Sequence, residues 1–286
     1  MKNFRIKSYC KINLSLKTLK KLKNGYHDIS SLITFCDLYD AISISQTKFH
    51  KDIINFSGKF RRGIDKKFNT ITKVLRLLRE KKLIKNKTFK INVKKNIPQG
   101  SGLGGGSLNA SSLLNFFNKK MQLNLNNNQM NNLAKKIGSD VPIGLIKKNT
   151  YLKSGNRIVR LNSKFNLNLI IVYPNIVCST KNIYKKHKID NHSINKKYFY
   201  RKNKKELISY LLKEKNDLET TVIKIYPKIK ELINFIKFQK GCFFSRITGS
   251  GSACIGIFSN TRNVNFAKKA IRSKYPKYWC FASKTI

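Results

Sequence analysis

The sequence predicts an α+β protein of two domains, and three observations carry that expectation. At 286 residues the chain suits one large domain or two moderate ones. Its strand-like and helix-like patterns come in mixed runs rather than in strict βαβ alternation. After Gly138 the helices give way to short strands, which puts the division at residues 1–153 and 154–286. A hydrophobic fraction of 41% can fill a core in each part and argues against a disordered basic chain.

The first element is a strand over 6–16. Ile6, Ser8, Cys10, Ile12, Leu14 and Leu16 fall on one face, and Lys7, Tyr9, Lys11, Asn13 and Ser15 on the other, the period of a half-buried strand. Asn24-Gly25 marks a turn. Strands are expected over 31–35, 41–45 and 53–56. A helix over 70–83 follows, where Ile71, Val74, Leu75 and Leu78 recur at helical spacing. A strand over 88–94 leads into a glycine-rich loop, a helix over 107–119 and another over 129–137. The second half reads as strands over 150–153 and 167–173, helices over 204–213 and 227–240, and a strand–glycine turn–strand over 243–257. A helix over 264–273 and a closing strand complete it. Residues 185–205 read as a mobile surface insertion.

Lys and Arg number 60 against 13 Asp and Glu, a formal charge of +47. That balance invites a nucleic-acid reading, so a basic RNA-binding protein is the alternative from a different class. The lysines are spread over the whole chain, however, and sit among Asn and Ile runs such as Asn124-Leu125-Asn126-Asn127-Asn128, the mark of an AT-rich coding bias. A binding surface would gather its charge on one face. No specific nucleic-acid partner is expected. No apolar stretch approaches the roughly 18 residues of a membrane span, and no signal-peptide core precedes the first strand. Cys10, Cys36, Cys178, Cys242, Cys254 and Cys280 are scattered without a CxxC pair and read as reduced thiols. A cytoplasmic protein without a membrane partner is expected, as a monomer or homodimer.

The strongest local signal is Pro98-Gln99-Gly100-Ser101-Gly102-Leu103-Gly104-Gly105-Gly106-Ser107, between a strand and a helix. Glycine lets the backbone take positive φ and come close to a ligand. The N–H groups that open the next helix are unpaired and carry the positive end of its dipole, a geometry that binds phosphate. Gly100-x-Gly102-x-x-Gly105 formally matches a dinucleotide fingerprint, but no Asp or Glu lies between Glu80 and Asp140 to hold a ribose. A P-loop would need Gly-Lys-Ser/Thr, and here Ser107 is followed by Leu108. The His-Arg-Asp and Asp-Phe-Gly motifs of protein kinases are also missing.

The loop resembles the phosphate-binding motif of the galactokinase–homoserine–mevalonate–phosphomevalonate (GHMP) kinases. It is most similar to the branch that reads Gly-Leu-Gly-Gly-Gly-Ser-Ser-Asn/Asp-Ala, against Gly102 to Ala110 here. Four further blocks agree in order and spacing: Cys10-Lys11-Ile12-Asn13-Leu14, Asn24-Gly25-Tyr26-His27, Gly138-Ser139-Asp140-Val141-Pro142 and Thr248-Gly249-Ser250-Gly251-Ser252-Ala253-Cys254. The resemblance implies a two-domain fold, its N-terminal half like domain 2 of ribosomal protein S5 and its C-terminal half ferredoxin-like. It also implies ATP as co-substrate with Mg²⁺, and phosphorylation of the C2 hydroxyl of CDP-methylerythritol in the non-mevalonate route to isoprenoids. A GHMP kinase of the homoserine or mevalonate type is the alternative within the family.

From the residues alone, Asp140 reads as a turn aspartate behind a helix ending near Ile137. By the resemblance it is the catalytic base, and Lys11 is the lysine paired with it, screening charge in the transition state. Asn13, Tyr26, His27 and Thr180 match positions that hold the substrate; an aromatic ring and an imidazole suit a pyrimidine. Pro98 to Ser107 should cradle the ATP phosphates. Asn109 falls where relatives meet those phosphates, and Asn69 and Lys95 fall beside the adenine. Leu108 departs from the usual Ser and removes a hydroxyl that could meet phosphate or Mg²⁺. Tyr9-Cys10 replaces the usual Pro-Ala. No paired carboxylates name the Mg²⁺ ligands.

Overall fold

A computed structural model describes residues 3–22, 27–189 and 203–286. Along the chain run β1 (Asn3–Asn13), β2 (Lys17–Lys21), β3 (His27–Thr47), β4 (Ile53–Ser57), α1 (Thr70–Glu80), β5 (Thr88–Lys94), α2 (Gly105–Lys120), α3 (Asn127–Ile137), α4 (Val141–Gly144), β6 (Thr150–Lys153) and β7 (Arg157–Arg160). There follow β8 (Asn168–Tyr173), α5 (Thr180–Lys186), α6 (Lys204–Lys213), α7 (Leu218–Ile225), α8 (Lys228–Lys237), β9 (Cys242–Ile247), β10 (Cys254–Phe258), α9 (Thr261–Lys274) and β11 (Trp279–Lys284). Two compact units form. The first takes Met1–Lys11, Leu38–Gln99 and Gly104–Lys147; the second takes Ile12–Asp37, Gly100–Leu103 and Lys148–Ile286.

In the first unit β5 runs parallel to β4, with Ile91 beside Ile54, and antiparallel to the end of β3, with Val93 beside Ile42. Helices α1, α2 and α3 cover these strands. Ile71, Val74, Leu75 and Leu78 of α1 share one core with Ile91 and Val93, with Leu113, Leu114 and Phe117 of α2, and with Leu133 and Ile137 of α3. Burying one such side chain is worth about 1.5–3 kcal/mol. An 11-residue helix is marginal by itself, so this face, more than propensity, holds α1. Its start is set by Asn69, whose side chain accepts from the Ile71 and Thr72 N–H groups while Thr72 bonds back. It stops three residues short of the end expected from periodicity, because Lys82 takes a φ of 55° and turns the chain away.

In the second unit a four-stranded antiparallel sheet has the order β11-β8-β10-β9, the arrangement of a ferredoxin-like βαββαβ unit. Ile170 and Val172 of β8 pack with Leu218 and Val222 of α7, with Ile229, Leu232 and Ile236 of α8, and with Val264 and Ile271 of α9. Gly256 lies under Ile236, and any side chain there would collide with it. The start of β3 pairs with β2 and β6, and β6 with β7.

Several elements differ from the sequence expectation. Strands expected over 31–35 and 41–45 are one strand, β3, of 21 residues. Asp37 and Asp40 interrupt the apolar pattern between them, yet each is paired: Asp37 accepts from Ser283 Oγ at 2.6 Å, and Asp40 is wholly buried among donors. β1 is half-buried only as far as Tyr9; from Cys10 to Asn13 both faces are enclosed. Elements β2, β7, α4, α5 and α7 were not expected from the sequence. Seven-residue α5 buries one residue, Ile183, and α7 carries Thr221 in its seam. Of the expected insertion over 185–205, α5 continues to Lys186 and α6 begins at Lys204, while 190–202 lie outside the described residues. The Asn24-Gly25 turn lies outside them too. All six cysteines are free thiols, as expected. Burial pushes Cys178 up to about 11, which makes it a poor nucleophile. Among the described residues no helix is long and apolar enough to cross a membrane.

Candidate active site

Lys11 and Asp140 meet in the first unit. β1 carries Lys11 into a fully enclosed stretch, so its side chain is only 6% exposed. Asp140 is placed by the end of α3: Gly138 caps that helix, and the chain turns at Asp140 into α4, whose Val141 and Pro142 are buried. Ser111 Oγ of α2 donates to the Val141 carbonyl at 2.7 Å and pins the turn. The Asp140 side chain does not cap α4. Its Oδ2 lies 3.5 Å from Lys11 Nζ, and 38% of the side chain stays exposed. One partner of the pair is thus buried and the other partly exposed. The pair sets a carboxylate open on one side beside a fixed cation.

Gly104 explains why the loop needs glycine at that point. Its φ is 72°, and an added Cβ would stand 2.9 Å from Lys11 Cγ. From Gly104 the backbone enters α2, whose opening N–H groups have no side-chain cap and no acidic residue in the first turn. A helix of 16 residues beginning on three glycines, with its lysine neighbour held beside it, is a ready anion site. Leu108 is 2% exposed and faces inward, its Cδ2 2.7 Å from where a Gly144 Cβ would stand. The residue that departs from the usual Ser is thus packing against α4. Ser107 and Gly106 face outward, and Thr70 Oγ1 donates to the Gly106 carbonyl at 2.9 Å, tying α2 to α1.

Asn69 uses both its amide nitrogen and its oxygen on the start of α1, donating to the Asp65 and Lys66 carbonyls. Lys95 is 3% exposed and forms an ion pair with Asp40. Asn109, 2% exposed, donates to Asp40 Oδ2 at 3.0 Å. Lys95 and Asn109 therefore come together on Asp40, an aspartate that the sequence reading passed over. Pro98 is enclosed, and Gln99 donates to the Phe60 and Arg62 carbonyls.

In the second unit Gly100, Ser101 and Gly102 lie along the C-terminal glycine turn. The Ser101 carbonyl accepts from Ala253 N at 3.1 Å, and the Gly100 carbonyl accepts from Cys178 N at 3.1 Å. Gly102, φ 79°, abuts the Thr248 carbonyl so closely that no Cβ would fit. Leu103 is buried. Asn13 N donates to Thr248 Oγ1 at 2.9 Å, and its amide donates to Ser31 Oγ at 2.7 Å. Thr180 Oγ1 lies 2.9 Å from Ser250 Oγ. One turn along α5, the Tyr184 ring stands 5.1 Å from His27 at 34°, and His187 closes the cluster 6.3 Å from His27. Burial, then His187 and Lys21, lower the His27 pKa, so this imidazole is neutral at pH 7. Tyr26 lies outside the described residues. Tyr184 and His187 were not found from the sequence, and Ser250 entered only as part of the glycine motif; the spacing Thr180-x-x-x-Tyr184 would point to one face only once α5 is known to be a helix.

Comparison with known proteins gives the family. Models of the GHMP kinases N terminal domain and the GHMP kinases C terminal match residues 69–147 and 196–277. A protein from Pelagibacter ubique (strain HTCC1062), 4-diphosphocytidyl-2-C-methyl-D-erythritol kinase, is 40% identical over 290 residues and covers 100% of both chains. One of the same description from Wolbachia pipientis wMel is 30% identical, again over 100% of both. Among solved structures, a 4-(cytidine 5'-diphospho)-2C-methyl-D-erythritol kinase superposes with a TM-score of 0.76 at 20% identity, covering 99% of this chain and 100% of that one. A homoserine kinase from Cytophaga hutchinsonii superposes at 0.68 and 13% identity, covering 100% and 95%.

Proposed function

Since the chain belongs to the GHMP kinases and has their two-domain fold, we propose that it transfers the γ-phosphoryl group of Mg-ATP to the C2 hydroxyl of CDP-methylerythritol. The observation that carries this reading is the Lys11–Asp140 pair, with its open carboxylate and enclosed amine, beside the uncapped start of α2. Full-length relatives described as kinases of that substrate support the acceptor.

In this mechanism Asp140 takes the proton of the C2 hydroxyl as its oxygen forms the bond to Pγ, and the bond from Pγ to the β,γ-bridging oxygen breaks, releasing ADP. Lys11 screens the charge that develops between base and phosphoryl group. The N–H groups of Gly104 to Ser107 receive the phosphates. Among the described residues no group of three or more His, Cys, Asp or Glu could hold a metal. A Mg²⁺ ion would be carried in on the nucleotide's phosphates and would neutralise charge there. Asn13, His27 and Thr180 hold the cytidine diphosphate end, with Tyr26 beside His27 in sequence. The tilted His27–Tyr184 rings suit a flat pyrimidine. Asn69, Lys95 and Asn109 support the nucleotide side. The two family matches fall on either side of a division at 1–153 and 154–286, whereas the compact units place Ile12–Asp37 and Gly100–Leu103 with the second part. Six free thiols support a cytoplasmic setting.

Purified protein given Mg-ATP should form ADP with CDP-methylerythritol and far more slowly with homoserine or mevalonate. Equal or faster turnover of either competitor, or none with the CDP-linked alcohol, would overturn the reading.

A further inference from the structure

Asp40 lies inside the first unit with no exposed surface. Its Oδ1 accepts from Asn96 N at 2.8 Å and Ile97 N at 2.9 Å. Its Oδ2 accepts from Asn109 Nδ2 at 3.0 Å and pairs with Lys95. Asn96 and Ile97 are the last residues before Pro98, and Asn109 is the fifth residue of α2. One carboxylate thus grips the backbone ahead of the glycine-rich segment and the helix behind it. Lys95 Nζ stands 3.3 Å from where a Gly105 Cβ would be, so the same ion pair fills the space under the first residue of α2. Asn109 Oδ1 is buried without a hydrogen-bond partner, because its amide is turned to serve Asp40. An amide that leaves its oxygen unpaired in the interior does so at a penalty, and the carboxylate offsets it.

We infer that Asp40 is a positioning residue for ATP: it fixes both ends of the glycine-rich loop, so that the N–H groups of Gly104 to Ser107 are held in place before the phosphates arrive. A loop with Gly100, Gly102 and Gly104 all at positive φ has much conformational freedom to lose on binding, and a clamp at its ends removes part of that loss in advance. Lys95 and Asn109 act on the nucleotide through this carboxylate. The inference rests on the kinase reading above.

The test exchanges donor and acceptor across the clamp. Asp40→Asn and Asn109→Asp are made singly and together, and each is assayed for binding of a non-hydrolysable ATP analogue without acceptor, and for both KM values. Each single change should weaken analogue binding and raise KM for ATP about 10-fold or more, as expected for a hydrogen bond to a buried charge. KM for the acceptor should stay within about 2-fold, since that site is not touched. The double variant restores one carboxylate beside Lys95 and one amide across from it, and should bind the analogue within about 3-fold of wild type. If Asn109 worked only by touching phosphate directly, the new aspartate would repel it and the double variant would be no better than Asn109→Asp. That result, single variants with unchanged affinity, or a double variant that does not fold would each overturn the inference. Where a single variant does not fold, the double variant decides. Wild-type protein unable to bind the analogue would overturn the kinase reading along with it, whereas binding by the wild type with unresponsive variants removes this inference alone.

Discussion

Two lysine–aspartate pairs of the first unit make opposite uses of the same two charges. Lys95–Asp40 is enclosed, its side chains 4% and 0% exposed, and Asp40 also takes two backbone N–H groups and an amide. Lys11–Asp140 is longer, at 3.5 Å, and its carboxylate is 38% exposed, with no cap bond to the helix it precedes. The first pair is saturated and can only hold structure. In the second the lysine is as buried as its counterpart, but the aspartate keeps an open side. The contrast lies in the acceptor's unused capacity, more than in proximity to a cation: Asp40 has none left, and Asp140 keeps an exposed side.

The largest effect should fall on the open pair. Asp140→Asn should lower kcat about 10³-fold. Lys11→Met should lower it by about 10²-fold or more. The 38% exposure of Asp140 leaves its carboxylate screened by water, so Asp140→Asn should cost less stability than breaking the closed pair. Normal turnover by Asp140→Asn in an ADP-release assay would erase the contrast.

The closed pair should respond the other way. Lys95→Met leaves a carboxylate in the interior with its charge uncompensated, and urea unfolding should show a loss of about 3 kcal/mol. A loss below about 1 kcal/mol would mean that the neighbouring N–H groups satisfy Asp40 without the lysine.

The smallest effect concerns a group of the second unit. His27 is held below its ordinary value of 6.5 by burial, by His187 and by Lys21. As pH falls through 6.5 the unfolded chain takes this proton before the native one does, so stability should decline from 6.5 down through the lowered native value and be flat above it. An NMR titration of the imidazole Cε1 proton should give a midpoint under 6.5, and a midpoint at or above it would show a ring free of its neighbours.

Much of this was legible in the chain. Period-two alternation in β1 put Lys11 and Asn13 on one face, and the density of glycine marked the turn between β5 and α2. The ordered motif blocks named Asp140, which local pattern alone would have left as a turn residue. Asp40 was not legible. In sequence an aspartate inside a strand reads as an interruption, and its four donors come from residues 55 to 69 positions away. Tyr184 and His187 were hidden for a related reason: α5 buries a single side chain, so no periodicity revealed the helix that brings them to His27.

By itself the sequence determined the α+β class and, through its ordered motif blocks, the kinase family. These follow from properties that local order carries: period, glycine density and motif spacing. The tertiary structure alone decided which charges are saturated and which are open. Neither Lys11 nor Lys95 shows in its local pattern how its aspartate is solvated, and they are two among 60 cations. They part only because desolvation and hydrogen-bond capacity depend on what the folded chain brings around each carboxylate, and that is set by contacts far apart in the chain.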